Sequence, residues 1–328
     1  MRIGLIDVDG HNYPNLPLMK LSAYHKSEGH SCEWWDKDGQ YDIVYMSKAF
    51  SSTYSPDIPA PDNARRVVRG GTGYAIDTLC GKEIYDRSAD KALPQQVEHI
   101  YPDYSLYPQY TGYHKTPAGQ TAYGFLTRGC PRGCPFCHVA NKEGRRSVQV
   151  ADLGEFWHGQ GNIELLDPNI LACQNRDALL AGLADSQAKV NVNQGLDARL
   201  IDAHTADLLT RIRLKAPHFA MDTMEQMDAV AMGLRNYKDA YYKAYGKWNW
   251  RYGMVYMLTN YGTTHEEDME RIRLIRDCGF HPYIMIYNKP TAPTITRRLA
   301  RWCNSIAFYA KYDSFTDYQK NEYKREAI

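Results

Sequence analysis

Three of the eight cysteines fall within nine positions, Gly129–Cys137, which read GCPRGCPFC. Cys130, Cys134 and Cys137 are spaced C-x3-C-x2-C, and thiolates this close along a chain suit an iron–sulfur cluster or zinc. Gly129 and Gly133 let the backbone curl so that the sulfurs can converge, while Pro131 and Pro135 limit the disorder that convergence would cost. Structural zinc favours four closed ligands, commonly from two C-x2-C-like pairs. The sequence offers one triplet and no second pair, and His138, the nearest extra donor, directly adjoins Cys137. Three ligands on a four-iron cluster leave one iron open, which is useful only if a cofactor or substrate occupies it. On the residues alone, both metals remain open.

The elements that must position this loop come in two runs. In the first, RIGLIDV, SCEWWD, YDIVYMSKAF and ARRVVRG read as strands, and LMKLSAYHKSEGH reads as a helix stopped at Gly29. Strand, helix, strand at this rhythm predicts a parallel sheet with right-handed crossovers. Pro56, Pro59 and Pro61 break the third connection too often for a long helix. Residues 75–122, rich in tyrosine and proline, show no clear period and read as a docking linker.

A second alternation starts at Tyr123. YGFLT (123–127), IELLD (163–167), KVNVN (189–193), HFAMD (218–222), GMVYMLT (253–259) and PYIMIY (282–287) are the expected strands. RDALLAGLADS, HTADLLTRIRL and THEEDMERIRLIRDCG are expected helices, the last with Thr264 and Glu267 as a capping box and Gly279 as terminator. Six β/α units make most of a barrel, where a complete one has eight. The cysteine loop follows the first of these strands, at the strand end where barrels place their chemistry. The expected organisation is a small α/β domain over 1–95, a linker over 96–122, a partial barrel over 123–300 and a helix with a tail over 301–328.

Composition narrows the function classes. Lys plus Arg number 39 and Asp plus Glu 38, so charge does not indicate nucleic acid or an acidic membrane surface as a partner. No run of about 18 apolar residues is present, which speaks against a membrane span. The start, MRIGLIDVDG, does not read as a signal peptide, so the expected setting is the reducing cytoplasm, where clustered cysteines more often hold metal than pair. The other cysteines, Cys32, Cys80, Cys173, Cys278 and Cys303, are scattered and expected to pack as small hydrophobes.

The loop resembles the C-x3-C-x-aromatic-C signature of the radical S-adenosylmethionine (radical SAM) superfamily, with Phe136 as the aromatic. That resemblance implies a [4Fe–4S] cluster on Cys130, Cys134 and Cys137 within a partial (β/α)6 TIM-like barrel. It also implies S-adenosylmethionine chelating the open iron and cleaved, on one-electron reduction, to methionine and a 5′-deoxyadenosyl radical. The electron would come from a reductant such as flavodoxin or ferredoxin, and the substrate is not named by the sequence. PNLPLMKLSAYHKSEGH, YDIVYMS and VVRGGTGY are similar to the flavodoxin-like, cobalamin-binding-type α/β domain that precedes many of these enzymes. With LLDPNILAC, NQGLDARL, VYMLTN and YIMIYNK, the whole chain resembles a bacterial and phage branch of the superfamily.

Further roles follow from the resemblance. Asp167 and Asn169, where the superfamily often has a Gly-Gly-Glu-like motif, would take the methionine amine. Arg199 would pair with the methionine carboxylate, and Asn193, Gln194 and Asp197 would hold ribose hydroxyls. Asp222, Thr259 and Asn260, at strand ends, would meet adenosine or substrate. Lys142, Arg145 and Arg146 form either an anion site or a solvated charged loop. Asp9 and His11 match part of a loop that presents histidine to cobalt, but Pro14 replaces its last glycine and the helices that would wrap a corrin are missing, so cobalamin is the lesser expectation. Gly70 and Gly71 sit where a strand-end turn could approach a nucleotide tail. The competing expectation is a zinc-stabilised, non-enzymatic binding module.

Overall fold

The computed structural model describes residues 1–10, 13–79 and 82–326, and the chain divides into two compact units, Met1–Pro168 and Asn169–Ile328. The division falls inside the segment read from sequence as the barrel.

The first unit begins with a four-stranded sheet, order β2-β1-β3-β4, built from β1 (Arg2–Asp7), β2 (Ser31–Trp34), β3 (Tyr41–Ser47) and β4 (Ala64–Gly70). Every pairing in it is parallel. A parallel sheet must be covered, and the apolar runs of β1 and β3 supply Ile3, Leu5, Val44 and Met46 to a dry core. Helix α1 (Leu16–Ser27) adds Leu18 and Met19 to the buried set. Its start is fixed by Asn15, whose side chain accepts the Leu18 amide at 3.2 Å. No helix stands between β3 and β4, as the three prolines of that connection foretell. Beyond β4 an antiparallel hairpin, β5 (Ile76–Leu79) with β6 (Lys82–Tyr85), occupies a stretch in which the sequence shows no period.

The glycine turn after β4 packs against the chain itself on one side. Gly71 has φ +97°, and a Cβ there would lie 2.4 Å from the Lys48 carbonyl oxygen. At Gly71 the turn therefore presses on the chain's own backbone at the end of β3, while the space beside Gly70 is open.

The tyrosine-rich stretch joins this sheet to the strands that follow. It carries the short helices α2 (Gln95–Glu98) and α3 (Pro108–Thr111). Asp103 accepts from Ser22 at 2.6 Å and from Lys26 at 2.5 Å on α1. The buried Tyr104 hydroxyl accepts the Tyr123 amide at 3.1 Å and donates to the Phe156 carbonyl at 2.7 Å. Tyr123 belongs to β7 (Thr121–Gly124), which pairs in parallel with β10 (Asn162–Leu165). The expected strand over 123–127 is thus split. The Phe156 ring fills the space beside Gly124, and the chain restarts as β8 (Thr127–Arg128), antiparallel to β9 (Val148–Gln149). Helix α4 (Val139–Glu143) lies between them.

In the second unit, β12 (His218–Ala220), β13 (Met254–Thr259) and β14 (His281–Ile286) form a parallel sheet in that order. Strand β11 (Lys189–Val192) and helices α5 (Arg176–Asp185), α6 (Ala203–Arg211) and α7 (Met227–Tyr245) complete the alternation before α8 (His265–Asp277). The aromatic segment after β12 becomes α7 and a ring cluster, in which Trp248 donates to the Gly279 carbonyl at 2.7 Å. Its rings pack edge to face, Trp248 against Tyr241 at 5.4 Å and Phe219 against Phe280 at 5.5 Å. Helix α8 carries the expected reciprocal cap between Thr264 and Glu267. The C-terminal residues form α9 (Thr294–Asn304), α10 (Ile306–Lys311) and α11 (Phe315–Glu326). Cys173, Cys278 and Cys303 are buried as expected, Cys32 is half-buried, and Cys80 lies outside the described residues. No helix among the described residues is long and apolar enough to cross a membrane.

One fully buried charged side chain in each unit organises strand ends. In the second unit, the Arg271 guanidinium donates to the carbonyls of Met221 (3.0 Å), Asp222 (2.9 Å) and Leu258 (3.0 Å) and pairs with buried Asp268. Replacing it with methionine strands Asp268 and those carbonyls, so Arg271→Met should lower unfolding free energy by about 3–5 kcal/mol in urea titrations. In the first unit, Asp167 is fully buried and accepts from Leu126 N (3.0 Å), Thr127 N (2.5 Å) and Thr127 Oγ1 (2.6 Å). An amide there sets one of its own N–H groups against a donor, so Asp167→Asn should cost about 1–3 kcal/mol. Burial pushes the Asp167 carboxyl up to about 6, against the pull of the three donors. Unfolded, it titrates near about 4. Its contribution is thus full below about pH 4 and is lost as pH rises through about 6. The stability gap between wild type and Asp167→Asn should therefore narrow from pH 4 to pH 7, as melting curves would read.

Candidate functional site

Within the first unit the cysteine loop runs from β8 to β9, and its two arms are tied across the base. Val150 N donates to the Leu126 carbonyl at 2.9 Å, and Cys130 N donates to the Gly144 carbonyl at 3.1 Å. Glu143, the last residue of α4, accepts from Arg128 Nη1 at 2.9 Å and from Gly129 N at 3.0 Å. Gly129 has φ +86°, and a Cβ there would sit 2.1 Å from the Arg146 carbonyl oxygen, so only glycine lets the arms approach this closely. At the tip, a turn closes with Cys137 N donating to the Cys134 carbonyl at 2.9 Å.

All three site thiols are half-buried, and Phe136 stands half-buried between the second and third. Among the described residues, no group of three or more His, Cys, Asp or Glu side chains is gathered as a metal site. The loop carries the three cysteines on one segment tied at its base. As a donor set it fits a thiolate-held cluster: three half-buried cysteines from one short loop, next to glycines that permit curling. His138, weighed as a fourth zinc ligand, faces Glu83 Oε2 at 3.4 Å instead.

Of the basic residues past the loop, Lys142 is tied to the chain and Arg145 and Arg146 are exposed. Lys142 donates to Thr72 Oγ1, and burial lowers its pKa. The Arg145 guanidinium lies against Gly133, where a Cβ would sit 2.6 Å from Nη1. Asp167, expected at the methionine amine, has both oxygens on the segment that leads into β8, so it braces the root of the loop. Asp9 accepts the amides of Ala49 and Phe50, and His11 lies outside the described residues.

In the second unit, a polar group forms at strand ends. Arg199 grips Asp197 with a fork, Nε to Oδ1 at 2.6 Å and Nη2 to Oδ2 at 3.0 Å. Asn169 Nδ2 donates to the same Asp197 Oδ2 at 3.2 Å. Asn193 accepts from Asn191, and Gln194 is exposed on the turn beside it. Asp222 accepts the Leu258 amide at 3.2 Å, and burial raises its pKa against the opposing charges of Arg271 and Arg199. The Thr259 hydroxyl, fully buried at the end of β13, finds no hydrogen-bond partner among the described residues. Asn260, with φ +61°, donates to the Tyr287 carbonyl at 2.8 Å. Asn169, Asp197, Arg199 and Asp222 are therefore drawn into one electrostatic group, while Gln194 stands exposed beside it and Asn260 is tied to Tyr287.

Two residues that matter here escape sequence reasoning. Arg271 hides in a helix whose apolar stripe is led by Ile272 and Ile275, where a charge would be read as exposed. Glu143 sits among Lys142, Arg145 and Arg146, and a lone acid in a basic loop reads as solvated. The only available signal was its position, because an acid at a helix C-terminus opposes the dipole and needs some other reason to be there.

No protein-family model matches the chain, and no curated protein matches it. Among solved structures, it is similar to TsrM, a radical S-adenosylmethionine methyltransferase from Kitasatospora setae, solved with tryptophan substrate and the SAM analog aza-SAM bound. The TM-score is 0.56 at 12% identity, over 86% of this chain and 72% of that one. At that identity the likeness concerns the fold: this is a mixed α/β protein with parallel sheets, folded like a radical SAM methyltransferase.

Proposed function

We propose that the chain is a radical SAM enzyme, with a [4Fe–4S] cluster on Cys130, Cys134 and Cys137 and S-adenosylmethionine at the open iron. The proposed frame is a partial (β/α)6 barrel preceded by a flavodoxin-like domain. One observation carries the reading: a C-x3-C-x2-C loop tied between β8 and β9 occurs in a chain with the fold of a radical SAM methyltransferase. When bound and reduced, the cluster would supply the electron that cleaves S-adenosylmethionine to methionine and a 5′-deoxyadenosyl radical.

The chain's own residues bind and orient. Arg199 spends two of its five N–H donors on Asp197 and keeps the others for the methionine carboxylate. Asn169 takes the methionine amine, Asn193, Gln194 and Asp197 serve the ribose hydroxyls, and Asp222 serves the adenosine. Phe136 shields the cluster from water. A flavodoxin- or ferredoxin-type reductant delivers the electron, and methyl transfer, the neighbour's reaction, is the first product class to assay.

Anaerobically reconstituted protein should bind iron and sulfide and, with dithionite and S-adenosylmethionine, release 5′-deoxyadenosine. Cys134→Ala should lose that release at least about a hundredfold, since a cluster deprived of one of its three thiolates is no longer held. Full iron and full cleavage in Cys134→Ala would overturn the assignment, and one tight zinc without sulfide would favour the binding module. Arg199→Lys breaks a two-pronged contact and should raise the KM for S-adenosylmethionine about tenfold at unchanged iron content.

A further inference from the structure

We propose that Glu143 is a positioning residue for the cluster, clamping the neck of the cysteine loop before any metal arrives; the proposal rests on the functional reading above. Its carboxylate accepts from the guanidinium of Arg128 and the amide of Gly129, the two residues immediately before Cys130. It does so from the last residue of α4, the helix that begins two residues after Cys137. One side chain therefore joins the chain entering the thiol loop to the chain leaving it. The Glu143 side chain is only 11% exposed, so this is a sheltered, charge-assisted clamp and not a surface ion pair.

The surroundings fix both partners. Arg128 lies over the Phe125 ring at 3.7 Å, which leaves the guanidinium little freedom to swing away. Beside the clamp, Cys130 N donates to the Gly144 carbonyl, and Arg128 stands opposite Val148 in the β8–β9 ladder. Helix α4 is held in turn through Lys142 to Thr72. The neck is thus held by contacts that the chain makes with itself. Fixing the neck in advance lowers the conformational entropy lost when the three sulfurs close on iron, because fewer dihedrals remain to be frozen. An acid at the C-terminus of a helix costs local stability, which is the mark of a residue kept for its place in a larger arrangement.

The test compares wild type with Glu143→Gln and Glu143→Ala in the full chain. In metal-free protein, hydrogen exchange of the Gly129 and Cys130 amides should quicken about ten- to a hundredfold in Glu143→Ala, with the amides of β1 and β3 unchanged. After reconstitution and exposure to an iron chelator, the cluster's charge-transfer absorbance should decay at least about tenfold faster in Glu143→Ala. Glu143→Gln, which keeps an acceptor but not the charge, should fall between the two in both measurements. Variants that exchange and retain iron as wild type does would overturn the proposal. So would equal loss in Gln and Ala variants accompanied by faster exchange in β1 and β3, which marks a general unfolding. Wild type that takes up no iron overturns the functional reading, while the exchange measurement still decides whether Glu143 holds the neck.

Discussion

A short loop that carries three cysteines, two glycines and two prolines is held together against chain entropy, so the constraint on which the first unit depends is closure of that loop at its base. The base is closed several times over. The β8–β9 ladder, the Glu143 carboxylate, the Cys130–Gly144 backbone bond and the steric demand at Gly129 all act within a few residues. Asp167 adds a brace from the end of β10, holding Leu126 and Thr127 where β8 starts. The root is thereby held from both arms of the loop and from the end of β10.

The second unit solves a related problem with the opposite charge. Parallel strands end in carbonyls that point at the same face, and a polar site there must neither collapse nor flood. Arg271 collects carbonyls from the chain after β12 and from β13 and is held by Asp268. With those carbonyls occupied, Asp222, Asp197, Arg199 and Asn169 can be presented at strand ends in a fixed arrangement. The buried ion pair is expensive to desolvate, and it fixes the backbone that carries Asp222.

How much of this could be read from the sequence varies with the physics involved. The strands of the first sheet, the helix α1 with its stop at Gly29 and the Thr264–Glu267 capping box follow from short-range pattern and local hydrogen bonding, and they are legible. The split of the 123–127 strand was not, because it depends on the Phe156 ring occupying the space beside Gly124 from thirty residues away. The β5–β6 hairpin and the tyrosine hydroxyl of Tyr104, which serves both β7 and Phe156, are likewise long-range arrangements in a stretch without period. Of the site, the cysteine spacing was legible because ligand chemistry dictates residue type. Asp167 was found as a residue, yet its three donors to the β8 root could not be inferred. Glu143 and Arg271 were missed because their roles lie in partners distant in sequence, and a charge carries no label for burial.

The most direct measurement of the central claim is Mössbauer spectroscopy of protein reconstituted anaerobically with isotopically enriched iron, recorded with and without S-adenosylmethionine. A four-iron cluster is expected in which one iron, lacking a cysteine ligand, changes its signal when the cofactor is added while the other three do not. A cluster whose irons are all indifferent to the cofactor, or protein that holds only mononuclear metal, would contradict it.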